Sequence, residues 1–218
     1  HREEFLAGRP EASLEALGAP DDLIDAWLGP RGRDKPSDGA LLDEVKARFE
    51  GVTTRYAHVV VDEAQDLTLF QLRAVMRRSD GLTVVGDDAQ RSVAAGLGLR
   101  KVAEMLGTPL EQMDIAYRMS AEIADWLNAH AERNGIDSVR LVGIRPNGIA
   151  VVDAPGTDAE THRARLAERW ENVALIERSD VWSHKGVEYD GVVVDTAGLS
   201  AHEVYLAASR AAHELVIV

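Results

Sequence analysis

The sequence predicts an α/β protein built on parallel sheet, and three observations carry that prediction. Short valine-rich apolar runs recur along the chain: His58 to Val61, Leu82 to Val85, Ile149 to Val152, Val173 to Ile176, Val192 to Val194 and Leu215 to Val218. Between them lie stretches with apolar residues at helical spacing, Leu69 to Arg77, Ala121 to Arg133, Ala159 to Trp170 and His202 to Ala212. Continuous Val-rich strands separated by helices are the pattern of a parallel sheet covered on both faces. The third observation is compositional. The 218 residues are 45% hydrophobic and 28% charged, which is enough apolar material for a core and too much for a disordered chain.

Before the alternation begins, residues 1 to 50 read as helices and loops. Glu11 to Leu17 and Asp21 to Leu28 carry helical spacing, and Asp21 and Asp22 supply acid for a first turn. Gly29 to Gly39 is a loop by its turn residues, and a third helix over Leu41 to Phe49 follows the cap signal of Ser37 and Asp38. The turn at Gly107-Thr108-Pro109 is the expected junction between two successive sets of βα units.

Composition excludes several classes. No cysteine is present, so a disulfide scaffold, thiolate zinc and a Cys nucleophile are ruled out, and a cytoplasmic location is the expectation. The longest apolar runs are a few residues, far short of a membrane span. A formal charge of −13 argues against coating nucleic acid by charge alone, although a groove with a few placed basic residues stays compatible with it. The seven histidines show no i, i+4 pair with an acidic third ligand.

Chemistry concentrates first in Val59-Val60-Val61-Asp62-Glu63-Ala64-Gln65-Asp66. An apolar strand ending in Asp-Glu delivers two carboxylates to the carboxyl edge of a parallel sheet, where open α/β folds bind ligands. In phosphoryl transfer the first carboxylate holds Mg²⁺ and the second orients or deprotonates a water. The competing reading is an acidic loop, with Asp66 as N-cap of the helix near Leu69. A second strand, Leu82 to Val85, ends in Gly86-Asp87-Asp88-Ala89-Gln90 and brings an amide that could bond a phosphate or the water. Gly-Asp-Asp is also a good turn, so this segment gains its force from the first.

With these segments in place, the chain resembles the motor core of superfamily 1 helicases of the UvrD/Rep type. Val61 to Asp66 is similar to that family's Walker B motif and Gly86 to Gln90 to its third motif. Ile115-Ala116-Tyr117-Arg118-Met119-Ser120, with Ile123 and Asn128, resembles its Asn-Tyr-Arg-Ser motif. Lys185-Gly186-Val187-Glu188-Tyr189-Asp190 and Tyr205-Leu206-Ala207-Ala208-Ser209-Arg210-Ala211 resemble its fifth and sixth. The resemblance implies two RecA-like lobes, an incomplete first over residues 1–112 and a second over 113–218, that couple ATP hydrolysis to movement on single-stranded DNA or to remodelling of a nucleoprotein complex. It implies Asp62 as the Mg²⁺ ligand and Glu63 as the catalytic base. Gln65 and Gln90 would sense the γ-phosphate, which Arg118 and Arg210 would reach. Tyr117 would stack on the adenine, Glu188 would bind the ribose, and Gly186 would lie against the nucleotide. Arginines that complete a site on domain closure suit a transferring phosphoryl group.

Three departures qualify the resemblance. No Gly-Lys dipeptide occurs, so the Walker A loop Gly-x-x-x-x-Gly-Lys-Ser/Thr is missing. It is expected upstream of His1, with a separate chain or a degenerate motor as alternatives, and Val218 stopping in an apolar strand agrees with a fragment. Arg91 and Val93 stand where unwinding members carry residues that lead to base-stacking aromatics. The stretch before the fifth motif is too short for the inserted domain of unwinding enzymes. These features resemble the HelD branch, whose members bind and recycle RNA polymerase, and the alternative function is a catalytically incompetent RNA polymerase-binding module. Trp126 and Trp170 read as core, and Trp182 as a residue that could face nucleic acid or pack.

Overall fold

In the computed structural model, residues 38–218 are described. The helices expected over 11–17 and 21–28, and most of the following loop, lie outside them. The described residues divide into two compact units, one formed by the part up to Val61 with Thr68–Thr83, the other by Asp62–Leu67 and Val84–Val218. The loops that leave the first two strands belong to the second unit.

The described part of the first unit holds α1 (Asp38–Glu50), β1 (Tyr56–Val61), α2 (Leu69–Arg78) and β2 (Ser79–Val84), with β1 and β2 paired in a two-stranded sheet. The start of α2 is fixed by a capping box in which Thr68 and Gln71 satisfy each other's backbone N–H groups. Asp66 is thus not its N-cap. Charge joins the two helices: Arg77 and Arg78 of α2 both reach Asp43 of α1, and Arg77 also reaches the buried Glu44. The hydrogen bond from Arg78 is the main cause that holds the Asp43 carboxyl below its usual range.

The second unit is centred on a four-stranded, all-parallel sheet. Its strands are β5 (Val152–Asp153), β6 (Val173–Ile176), β7 (Tyr189–Val194) and β8 (Ala211–Ile217), in the order β5-β8-β7-β6. Successive side chains along a strand point to opposite faces, and the core obeys this. Val192, Val194, Leu215 and Ile217 pack with Ile123 and Leu127 of α4 (Ala121–Asn134) and Leu206 of α6 (Ala201–Ala208). Val193 and Val216 pack instead with Leu166 of α5 (Ala159–Ala167). Both faces are covered, as Val-rich parallel strands demand. A shorter parallel pair, β3 (Ile115–Ala116) with β4 (Val142–Gly143), and helix α3 (Leu99–Leu106) complete the unit.

Helix boundaries follow local chemistry. Ser120 and Asp158 cap α4 and α5, Ser200 and Glu203 form a capping box on α6, and left-handed glycines end α3 at Gly107 and α4 at Gly135. The last expected helix, His202 to Ala212, is shorter than its sequence suggests. It stops at Ala208, and Ala211 begins β8, paired in parallel with Tyr189. Sheet pairing overrides the helix preference of Ala211 and Ala212. No helix among the described residues is long and apolar enough to cross a membrane.

Candidate active site

The site begins where β1 ends. Among the described residues Glu63 is the one non-glycine residue at positive φ, at φ 54 and ψ 37. A left-handed conformation costs an L-residue roughly 1–2 kcal/mol, so its neighbours must hold it there. Several do. Asp62 Oδ1 accepts the Glu63 N–H at 2.8 Å, and the Ala64 N–H donates to the Val85 carbonyl at 3.0 Å. Gln65, fully buried, donates from Nε2 to Glu63 Oε2 at 2.6 Å and accepts the Asp87 N–H on Oε1 at 3.0 Å. Gly86 makes room for that amide: a Cβ there would lie 2.1 Å from Gln65 Oε1.

Asp66 is the second anchor. It accepts the N–H groups of Ser92 at 2.8 Å and Val93 at 3.0 Å and the Ser92 hydroxyl at 2.5 Å, while Lys185 Nζ donates to it at 2.5 Å. Burial alone would raise this carboxyl, but the bonds from Lys185, Ser92 and the two backbone N–H groups outweigh burial and bring it down to about 2. The same Lys185 ammonium lies 3.1 Å from Glu63 Oε2. Sequence reasoning gave Lys185 no role; it stood within a recognisable motif, but its partners are more than a hundred residues away.

The loop after β2 is organised by Asp87. One carboxylate oxygen accepts the Ala89 N–H at 2.9 Å, capping the turn Asp88–Gln90, and the other accepts Gln90 Nε2 at 2.8 Å. The Gln90 carbonyl oxygen in turn accepts from the buried Arg210, whose guanidinium is pulled below the ordinary arginine range by burial. Arg118 pairs with Glu188, both exposed.

Asp62, Glu63, Gln90, Arg118, Gly186, Glu188 and Arg210 line one cavity of about 280 Å³, together with Gly86 and Asp87. Seven of the nine residues expected to act are thus brought together from five separate segments. The remaining two sit elsewhere. Gln65 lies behind Glu63 and shows no surface, and Tyr117 is 56% exposed and not part of the lining. Trp182 is exposed, its ring tilted against His202 at 6.5 Å, while Trp126 and Trp170 pack against the two faces of the core.

The cavity holds four carboxylates, Asp62, Glu63, Asp87 and Glu188, against two guanidinium groups. Asp62 uses Oδ1 locally, and among the described residues nothing is bonded to its Oδ2. An exposed carboxylate oxygen beside other hard oxygen donors fits Mg²⁺, which keeps most of its water and takes one or two protein carboxylates with the substrate phosphates. No cluster of three or more His, Cys, Asp or Glu arranged to hold a metal ion occurs among the described residues.

No protein-family model matches this chain, and no curated protein matches it. Solved structures do. The arterivirus nonstructural protein 10 helicase aligns with a TM-score of 0.52 at 18% identity over 76% of this chain and 40% of that one. The structure of the same protein in complex with DNA gives 0.53 at 20% identity, with the same coverage. The PRRSV helicase gives 0.51 at 17% identity, covering 72% of this chain and 34% of that one. The chain spans two fifths or less of the length of these helicases. At such identities the likeness establishes the fold: a helicase-type α/β core with parallel sheets, consistent with RecA-like lobes.

Proposed function

We propose that this chain is the ATP-hydrolysing motor portion of a superfamily 1 helicase or translocase, of UvrD/Rep type, acting on single-stranded DNA or on a nucleoprotein complex. One observation carries the reading: a single polar cavity gathers Asp62, Glu63, Gln90, Arg118, Glu188 and Arg210. The helicase-type fold supports it. Mg²⁺, when bound, would draw charge from the phosphoryl group in transfer. Asp62 would supply an anionic oxygen to that ion. Glu63 accepts the proton of an attacking water, and Gln90 orients that water or the γ-phosphate. Arg210 and Arg118 stabilise the charge on the equatorial oxygens. Glu188 binds the ribose hydroxyls once Arg118 leaves it for phosphate, and Tyr117, more than half exposed, is available to stack on the base.

The second reading is a catalytically incompetent module, such as an RNA polymerase-binding segment of HelD type. It is favoured by the lack of any Gly-Lys dipeptide in the 218 residues. ATP hydrolysis by the complete protein separates the two. The motor reading expects turnover stimulated by single-stranded DNA, with negligible hydrolysis by these 218 residues alone, since no Gly-x-x-x-x-Gly-Lys-Ser/Thr sequence occurs in them to cradle a triphosphate. Robust polymerase binding without turnover would favour the second reading.

A further inference from the structure

Resting on the reading of Glu63 as the general base, we infer that Gln65 is a positioning residue and not a nucleotide ligand. With Lys185, it occupies Oε2 of Glu63 and leaves Oε1 as the atom that takes the proton. The geometry is specific. Gln65 is completely buried, so its amide cannot touch a phosphate in the cavity, and both ends of that amide are already used. Its Nε2 at 2.6 Å and the Lys185 Nζ at 3.1 Å converge on the same carboxylate oxygen. Among the described residues nothing is bonded to Oε1, and Glu63 lines the cavity. The two donors therefore break the symmetry of the carboxylate.

The backbone belongs to the same device. The amide of Gln65 spans from the Glu63 side chain to the Asp87 N–H and so ties the left-handed turn after β1 to the turn after β2. Lys185 is held in turn by Asp66 at 2.5 Å, which links the loop carrying Gly186 and Glu188 to the base. In the step this serves, water attacks the terminal phosphorus and its oxygen forms the new P–O bond. Its proton passes to Oε1, giving a neutral carboxyl, and the electron pair of the broken P–O bond leaves with the diphosphate. Oε2 keeps both donors throughout, so the carboxylate need not rotate.

Two variants test this, Gln65→Met and Lys185→Met. In the isotopically labelled 218-residue chain, the three-bond HN–Hα coupling and Cα shift of Glu63 report its φ. Gln65→Met is expected to move Glu63 out of the left-handed region while the resonances of Ala121–Asn134 stay in place. Retention of the left-handed signature would overturn the inference. In the complete protein, each variant is expected to bind a non-hydrolysable ATP analogue with Mg²⁺ within about twofold of the parent and to lose turnover, by about 10²-fold for Gln65→Met and tenfold for Lys185→Met. A tenfold loss of analogue affinity with unchanged turnover at saturation would make Gln65 a ligand and overturn the inference. Lys185→Met keeps the question answerable if Gln65→Met fails to fold. Should Glu63→Gln leave turnover intact, the general-base reading fails, whereas the coupling measurement still reports on Gln65.

Discussion

The residues that support Glu63 and those around Arg118 are built on opposite principles. Behind Glu63, whose own side chain is 42% exposed, Gln65 is fully buried, and the side chains of Lys185 and Asp66 are 14% and 17% exposed; every donor there has an acceptor. By contrast Arg118 is 77% exposed and bound to a half-exposed Glu188, with Tyr117 open to solvent nearby in sequence. Buried, fully bonded networks hold side chains in one arrangement, whereas exposed ion pairs are worth about 0–1 kcal/mol and exchange readily. Under the proposed function, this difference would divide the labour: the donors behind Glu63 would set the base before substrate arrives, and Arg118, Glu188 and Tyr117 would be free to rearrange onto the nucleotide. Arg210 stands between, buried but holding only Gln90 and Ser209 among the described residues.

Substitutions can break or sharpen this contrast. The largest effect is expected for Arg210→Ala, about 10³-fold or more on turnover in the complete protein, as for arginines that complete a phosphoryl-transfer site; steady-state kinetics check it. Gly86→Ala strikes the support of Glu63 from behind. Its Cβ meets the Gln65 amide and the Ala64 backbone nitrogen, so a loss of about 1–3 kcal/mol in denaturant unfolding is expected.

Asp66→Asn tests the same support through pH. The Asp66 carboxyl is lowered in the folded chain from 3.8 to about 2, so it contributes stability above pH 4 that is lost as pH falls through 2. The contribution is on the order of 1–2 kcal/mol. Unfolding midpoints between pH 5 and pH 2 should fall for the parent, and Asp66→Asn should lack that component of the fall. The smallest stability effect belongs to the exposed pair: Arg118→Ala should change unfolding free energy by less than about 1 kcal/mol, although turnover in the complete protein should drop sharply. A large loss of stability from Arg118→Ala would erase the contrast.

Much of this was legible in the sequence, and the residues show why. Val173 to Ile176 is a strand over the same four residues in the structure, because a buried parallel strand must be apolar on both faces. The carboxylates after β1 were readable because strand ends deliver ligands in α/β folds. The helix expected through Ala212 ended early because pairing with β7 draws Ala211 into the sheet. Ile149 to Val152, read as a strand, contributes only Val152 and Asp153 at the sheet edge, where a single neighbour fixes it. Neither the burial of Gln65 nor the reach of Lys185 to Glu63 could be read, since both depend on contacts between segments far apart in the chain. Tyr117 shows the same limit from the other side. Its motif was recognisable, and its side chain stands outside the cavity lining.

The central claim is that the cavity around Glu63 hydrolyses a nucleoside triphosphate, and it is tested most directly by comparing Glu63→Gln with the parent in the complete protein, measuring ATP turnover and binding of a non-hydrolysable analogue side by side. The account predicts analogue affinity within about twofold and turnover reduced by about 10²–10⁴-fold, the range for loss of a general base. Equal turnover by the two proteins, or no turnover by the parent in the presence of Mg²⁺ and single-stranded DNA, would contradict it.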